Sequence, residues 1–185
     1  MPAYALFHTA LGPCGLVWGG DGITNAVLPE ADLEATRQRL LRRTPNAVET
    51  EPPDDIAAAI EAIRELFASG RRDLIDLKLD LSAVSDFQRD VYAIARAIPP
   101  GETLTYGDIA KRLGGLQYAR EVGQAMGKNP IPIIVPCHRV MGANGGTGGF
   151  SAPGGVDTKL KMLTIEKART NPQPGLFDDL PLARG

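Results

Sequence analysis

Short apolar runs separated by glycine-containing turns dominate the first thirty residues of the chain. The runs 4–8, 14–18 and 23–28 are rich in residues that strands favour. Gly12-Pro13 and the glycine-rich stretch 19–22 lie between them, and both are typical of turns. This pattern predicts a meander of antiparallel strands.

Helical and strand-like periodicities then alternate up to residue 81. Apolar residues at three- and four-residue spacing predict helices over 32–43 and 54–69, with a polar loop over 45–53 between them. Leucines alternate with charged residues over 77–81, which predicts a further strand. No residue in 1–81 carries recognisable chemistry, so we interpret this half as a scaffold.

Capping residues mark two helices in the second half of the chain. Ser85 and Gln88 form a capping box that opens a helix running to residue 98, where a Pro-Pro-Gly sequence stops it. Thr105 caps the next helix, and two glycines separate it from a third helix over 117–128. Two short helices joined by a glycine turn are typical of a helix-turn-helix, although ordinary helical hairpins show the same pattern.

The stretch that follows combines a stiff apolar run with reactive side chains. The β-branched residues 133–135 predict a short buried strand, which Pro136 ends because proline cannot donate a ladder hydrogen bond. Cys137 comes next, beside His138 and Arg139. A free thiol has a pKa of about 8.5, and a basic or cationic neighbour lowers that pKa. A lone cysteine at a strand end is more often a buried structural residue.

The last part of the chain begins with a loop over 142–149, in which five of eight residues are glycine. No Gly-Lys-Ser/Thr sequence follows, which argues against a phosphate-binding loop. Asp157 is predicted to cap a final helix that ends near residue 168. We interpret 171–185 as a C-terminal tail.

Composition excludes several classes of protein. The chain has two cysteines and two histidines, which argues against a disulfide scaffold and a structural zinc site and favours a cytoplasmic protein. No apolar run approaches the roughly 20 residues of a membrane span. The net charge is −2, but residues 86–170 carry 11 Lys and Arg against 7 Asp and Glu, whereas 1–85 carry 8 against 13. The basic excess thus lies in the half that contains Cys137, as a phosphate-contacting surface requires.

The sequence Pro-Cys-His-Arg-Val at 136–140 closely resembles the active-site signature of the O6-alkylguanine-DNA alkyltransferases, also called methylated-DNA–protein-cysteine methyltransferases. Further matches extend from about Phe87 to Glu166. The resemblance implies an α/β (α+β) fold, with a ribonuclease-H-like domain over 1–83 and a winged helix-turn-helix-like domain over 84–170. It also implies a monomer that acts on double-stranded DNA and needs no metal or other cofactor.

The resemblance assigns chemical roles to residues around the thiol. Dealkylation of guanine requires an SN2 attack on the carbon bound to O6, for which a soft thiolate is suited. Cys137 would be the nucleophile and permanent alkyl acceptor. His138 would take the thiol proton through a water, and Glu166 would orient His138, following the logic of a triad. Tyr106 would donate to N3 of the base, and Asn129 would hold the active-site turn.

Other matching positions would bind the base and the DNA. The Val140 carbonyl would accept from the guanine amino group, and Ser151 would donate near O6. Arg120 would take the place of the flipped base in the stack, on a helix whose small residues allow close approach to the minor groove. Candidate contacts with the phosphates or the DNA backbone are Gln88, Arg89, Gly107, Gly115 and Lys128.

The implied function is DNA repair by direct reversal, in which each molecule irreversibly accepts one alkyl group from O6-alkylguanine, with O4-methylthymine as a further candidate substrate. Three alternatives compete with it: a non-catalytic alkyltransferase-like module, which would lack the cysteine; a thiol hydrolase with a Cys–His pair; and a transcription factor. Phe150 and the inserted-looking Ala152-Pro153 depart from the common family pattern, which leaves the preference among alkyl groups open.

Overall fold

The computed structural model describes residues 1–147 and 154–168. Strands β1 (Ala3–Thr9), β2 (Gly12–Gly19) and β3 (Gly22–Val27) form the antiparallel meander that the sequence predicts. Their order in the sheet is β3-β2-β1, because each strand pairs with the next along the chain. This half of the fold therefore follows from short-range turn chemistry.

A fourth strand, β4 (Val48–Glu49), pairs in parallel with the start of β1 and completes the sheet order β3-β2-β1-β4. The sequence predicts only a loop over 45–53, and this prediction is wrong at β4. Two residues are too few to show an alternating pattern, so the strand is defined by its tertiary pairing alone.

Helices α1 (Leu33–Arg43) and α2 (Asp54–Ser69) pack against this sheet, and the sequence predicts both. The Asp32 side chain caps α1 by accepting from the Ala35 N–H at 2.8 Å. Gly70 ends α2 in the left-handed conformation, with φ of 72°. A methyl group added at Gly70 would collide with the Ile165 carbonyl, so this glycine allows α2 to meet the last helix of the chain.

The second half is mainly helical. Its helices are α3 (Asp86–Arg96), α4 (Tyr106–Arg112), α5 (Ala119–Gly127) and α6 (Gly155–Ile165), and a small parallel pair of strands joins β5 (Leu104–Thr105) to β6 (Val140–Met141). The capping boxes expected at Ser85 and Thr105 are both confirmed. A 3-10 turn, Leu116–Tyr118, replaces the first residues of the helix predicted over 117–128.

The strand predicted over 77–81 is wrong except for one parallel bridge between Ile23 and Leu79. Lys78 and Asp80 bond the backbone of Ile23 at the start of β3. Further along that edge, the Ala26 N–H donates to the Pro130 carbonyl at 3.0 Å. The turn that leads to Cys137 therefore occupies part of the sheet edge that a longer strand would need.

One continuous apolar core joins the two halves of the chain. Leu16 and Ile63 from the first half belong to the same cluster as Tyr92, Val122 and Met162 from the second. A smaller cluster on the other face of the sheet lies under α1. In the described residues, no helix is long and apolar enough to span a bilayer.

Candidate active site

A closed turn, not a strand, leads to the reactive cysteine. Asn129 holds this turn from inside, since its Oδ1 accepts from the Ile131 N–H at 2.9 Å and its Nδ2 donates to the Val135 carbonyl at 2.8 Å. The Val135 N–H also donates to the Ile131 carbonyl, and Ile133 has a positive φ of 77°. The predicted strand over 133–135 is therefore wrong. Its burial is as expected, but three prolines and the Asn129 side chain direct the backbone into a turn.

The next three residues, Cys137–Arg139, form a 3-10 turn that separates their side chains. The Cys137 side chain is half-buried, whereas His138 and Arg139 are buried. Burial raises the pKa of the Cys137 thiol and outweighs the lowering by a hydrogen bond from Asn129 and by the charge of Lys159. The expectation that its chain neighbours depress this pKa is not met in the resting protein. The thiol therefore needs a base to take its proton.

His138 keeps one ring nitrogen that is able to accept a proton. Its Nε2 lies 2.8 Å from Oε1 of Glu166. An ionised carboxylate can only accept, so Nε2 carries the proton and Nδ1 keeps its lone pair. Nδ1 is buried and has no hydrogen-bond partner among the described residues. Burial lowers the pKa of His138, and Glu166 opposes this only in part, so the imidazole is neutral and able to accept a proton.

Glu166 is fixed by Arg139 as well as by His138. Arg139 Nε donates to Oε2 at 2.9 Å and Nη2 to Oε1 at 2.8 Å, while Nη1 donates to the Ile98 carbonyl at 2.7 Å. Burial alone would raise the pKa of Glu166, but the hydrogen bonds and charges of His138 and Arg139 lower it to about 2. The carboxylate thus stays ionised in a buried site. The sequence places Arg139 beside the thiol but does not reveal this two-pronged contact.

Lys159 is a second buried cation, and the sequence does not single it out. Its Nζ donates to the Val140 carbonyl at 2.6 Å and to the Thr147 carbonyl at 2.7 Å. Burial lowers the pKa of Lys159 to about 8, and Cys137 opposes this effect. The spacing offers a clue, because Lys159 precedes the buried Met162 and Leu163 by three and four residues and so shares their face of α6.

Tyr106 is the first residue of α4, immediately after the Thr105 capping box. Burial raises the pKa of its phenol, and the charge of Cys137 raises it further. The hydroxyl consequently stays protonated at neutral pH and can donate a hydrogen bond.

Comparisons with known proteins identify the family of this chain. A family model for the DNA-binding domain of 6-O-methylguanine DNA methyltransferase matches residues 86–168. The methylated-DNA–protein-cysteine methyltransferase of Mycobacterium tuberculosis (strain ATCC 25618 / H37Rv) is 37% identical over 175 residues, covering 95% of this chain and 98% of the relative. The chain belongs to the methylated-DNA–protein-cysteine methyltransferase family.

Solved structures of methyltransferases share the fold. The Mycobacterium tuberculosis OGT structure in complex with DNA has a TM-score of 0.71 and 35% identity, covering 89% of this chain and 92% of that chain. The O6-methylguanine-DNA methyltransferase of Pyrococcus kodakaraensis strain KOD1 has a TM-score of 0.67 and 25% identity, covering 90% and 99%. The mixed α/β architecture of this chain is therefore that of methyltransferases of this kind.

The residues predicted to contact DNA lie on the outer helices of this methyltransferase-family chain. Arg120 is exposed in the first turn of α5, and Lys128 is exposed just after the last turn. Gln88 uses its Oε1 to accept from the Ser85 N–H in the capping box of α3. Gly107 lies in the first turn of α4, and Gly115 adopts a φ of 155°. Ser151 and the unusual residues around it lie outside the described residues.

Val140 has a partner that the sequence does not predict. Its carbonyl, expected to accept from the guanine amino group, already accepts from Lys159. A carbonyl oxygen has two lone pairs, so one remains for a second donor. Lys159 thereby fixes the direction of an acceptor at the edge of the site.

Proposed function

We propose that this protein repairs DNA by direct reversal, through irreversible transfer of the alkyl group of O6-alkylguanine in duplex DNA to Sγ of Cys137. The observation that carries the proposal is the buried Nδ1 of His138, which retains a lone pair while Glu166 holds Nε2. A base prepared in this way, beside Cys137 in the chain, is better suited to proton transfer than to core packing.

In the proposed reaction, the S–C bond forms as the C–O6 bond breaks. The thiol proton passes through a bridging water to Nδ1 of His138. The protonated imidazole then gives up this proton through water, and the released base gains one at N1 to become guanine, so His138 returns to its neutral form. The Tyr106 hydroxyl donates to N3 and stabilises the charge that develops on the leaving base. The other product is a neutral thioether, whose C–S bond is stable in water, so each molecule acts once.

Supporting residues are proposed to position these groups. Asn129 holds the turn before Cys137, and Arg139 keeps Glu166 ionised and oriented. Lys159 directs the Val140 carbonyl, whose remaining lone pair accepts from the guanine amino group. Ser151 is proposed to donate near O6.

For DNA binding, we propose that α4 and α5 act as a helix-turn-helix whose second helix enters the minor groove. Arg120 would replace the extruded nucleotide in the base stack. Contacts with the DNA backbone would come from Gln88, Gly107, Gly115 and Lys128. We propose a ribonuclease-H-like scaffold domain over 1–83 and a winged-helix-like domain over 84–170, in a monomeric, cytoplasmic protein.

Nucleoside analysis of treated DNA tests this proposal directly. Duplex DNA containing O6-methylguanine is mixed with excess protein and then digested to nucleosides. Direct reversal predicts that the modified nucleoside is replaced by an equal amount of deoxyguanosine, with no abasic site. Cys137→Ala should abolish the conversion, while the control Cys14→Ala should retain it. Conversion by Cys137→Ala, or excision of the base, would refute the proposal.

A further inference from the structure

Two exposed apolar side chains lie two residues apart in the 3-10 turn Leu116–Tyr118, which precedes α5. Leu116 is 59% exposed and Tyr118 is 39% exposed. Exposed apolar residues that occur singly are ordinary on protein surfaces, but a cluster on one short turn indicates a contact surface. Arg120, proposed to enter the base stack, follows only two residues later.

The turn is packed against the helices that surround it. A Cβ atom added at Gly107 would come within 3.2 Å of Leu116 Cδ2, so Leu116 lies over the first turn of α4. The Tyr118 ring centroid is 6.3 Å from that of Phe87 in α3, and the rings are tilted by 46°. Each side chain therefore touches a neighbouring helix while much of it remains exposed.

The same small area contains the positions proposed to contact DNA. Gly107 underlies Leu116, Gln88 follows Phe87 directly, and Gly115 precedes Leu116. The cations of this segment are exposed: Lys111, Arg112, Arg120 and Lys128. Its exposed acids are fewer: Glu121 in α5, with Asp86 and Asp90 in α3. Asp86 is paired with Arg89, and Asp108 is occupied in the α4 capping box. A surface with an apolar centre and basic side chains around it is better suited to bind a nucleic acid than to bind an apolar surface of another protein.

We propose that Leu116 and Tyr118 form an apolar wedge that contacts sugars and base edges in the minor groove beside the nucleotide that Arg120 displaces. Minor-groove proteins insert apolar side chains at base steps and partly unstack them. The wedge would thereby lower the cost of extruding the damaged base. This inference rests on the proposed function, because it assumes that α5 enters the minor groove.

Apolar and ionic contacts differ in their response to salt. Phosphate contacts release counterions, so their contribution to affinity falls as salt rises, whereas burial of apolar surface does not depend on counterion release. Removal of the wedge should therefore weaken DNA binding by a similar factor at every salt concentration. Removal of Lys128 should instead make the salt dependence shallower.

The test compares Leu116→Ala, Tyr118→Ala and the double variant with wild type on duplex DNA containing O6-methylguanine, using Cys137→Ala as a common background for binding. We expect each single variant to bind about tenfold more weakly, from the loss of partly buried apolar area, with an unchanged salt slope. A 2-aminopurine next to the lesion should brighten less than with wild type, because the flanking bases stay stacked.

Matched control variants isolate the contribution of the wedge. Tyr118→Phe should bind like wild type, since the hydroxyl has no part in the wedge. Ile75→Ala removes another exposed apolar side chain, 54% exposed, and should change nothing. In the Cys137-containing protein, the wedge variants should react with free O6-benzylguanine at the wild-type rate, which shows that the thiol site is intact.

The proposal is overturned if the alanine variants bind and unstack duplex DNA like wild type. The two side chains would then not take part in DNA binding. It is equally overturned if the salt slope changes with the affinity, since the residues would then act through phosphate contacts. Failure of the proposed function is a separate result: wild type would not react even with free O6-benzylguanine, whatever the variants do in the binding assay.

Discussion

At the scale of single residues, three protonation states define the site. Burial raises the pKa of the Cys137 thiol, lowers that of His138, and leaves Glu166 ionised only because Arg139 and His138 bond to it. The resting pair is thus a neutral thiol with a neutral imidazole. In the proposed reaction, proton transfer to His138 accompanies the attack, so a free thiolate does not have to be maintained in the site.

These protonation states predict the pH dependence of transfer. The folded-state pKa of His138 lies below its ordinary value of 6.5, so the imidazole remains neutral as the pH falls to 6.5 and gains a proton only below it. The rate with free O6-benzylguanine should therefore be nearly flat from pH 8 to 6.5 and fall at lower pH. A pre-formed thiolate would instead give a rate that rises about tenfold for each pH unit across that range, because the thiol pKa is high. Quenched assays of benzyl transfer decide between these profiles.

Arg139 allows a second prediction at this scale. Replacing it with Met leaves the carboxylate of Glu166 buried with only His138 as partner, which should destabilise the fold by about 3–5 kcal/mol. Arg139→Lys keeps the charge but loses the two-pronged hydrogen bond, and should lower the transfer rate about tenfold or more through loss of His138 orientation. Thermal melting and benzyl transfer measure the two effects. Arg64→Met is the control, because it removes an ion pair with Glu61 and a hydrogen bond to the His8 carbonyl on the surface of the first half; it should leave the transfer rate unchanged. A wild-type rate in Arg139→Lys would contradict the positioning role.

At the scale of elements, local capping chemistry is predictable from sequence and the active-site turn is not. The Ser85 and Thr105 capping boxes depend on residues three apart, so the sequence locates both helix starts. The run 133–135 resembles a strand because its burial is real, but a buried turn has the same apolar composition. Only the contacts of Asn129 with the backbone at both ends of the turn distinguish the two.

The candidate site, too, is only partly predictable from the sequence. Family resemblance locates Cys137, His138 and Glu166 in the sequence, and the structure brings His138 and Glu166 into contact. The roles of Arg139 and Lys159 depend on partners 27 and 19 residues away, which no local pattern reveals. A cation on the apolar face of a helix is the one local signal that points to Lys159.

The junction of α2 and α6 yields a prediction for an element remote from the thiol. Gly70→Ala places a methyl group against the Ile165 carbonyl and puts alanine in a left-handed conformation, which alone costs about 1–3 kcal/mol. Relief of the collision should shift Glu166, so both the melting temperature and the benzyl transfer rate should fall. Gly20→Ala meets no atom within 4 Å and serves as the control. Normal transfer by a destabilised Gly70→Ala would mean that this junction supports the fold but not the site.

At the scale of the whole molecule, the first half of the chain supports the chemistry of the second. The two halves share one apolar core, the sheet edge holds the turn before Cys137 through Ala26 and Pro130, and α2 meets the end of α6 at Gly70. These contacts give a physical basis for the interpretation of residues 1–81 as a scaffold. The sequence could not reveal these contacts, because each joins residues far apart in the chain.

The proposed repair reaction requires that one particular thiol accepts one alkyl group and then remains blocked. Intact-protein mass spectrometry after titration with duplex DNA containing O6-methylguanine, followed by peptide mapping, measures this directly. We expect a gain of about 14 Da, the mass of the CH₂ added when a thiolate nucleophile is methylated. The gain should lie on Cys137 and saturate at one group per molecule. No gain in mass despite binding to the lesion, methylation at Cys14, or repeated turnover would contradict the proposed reaction.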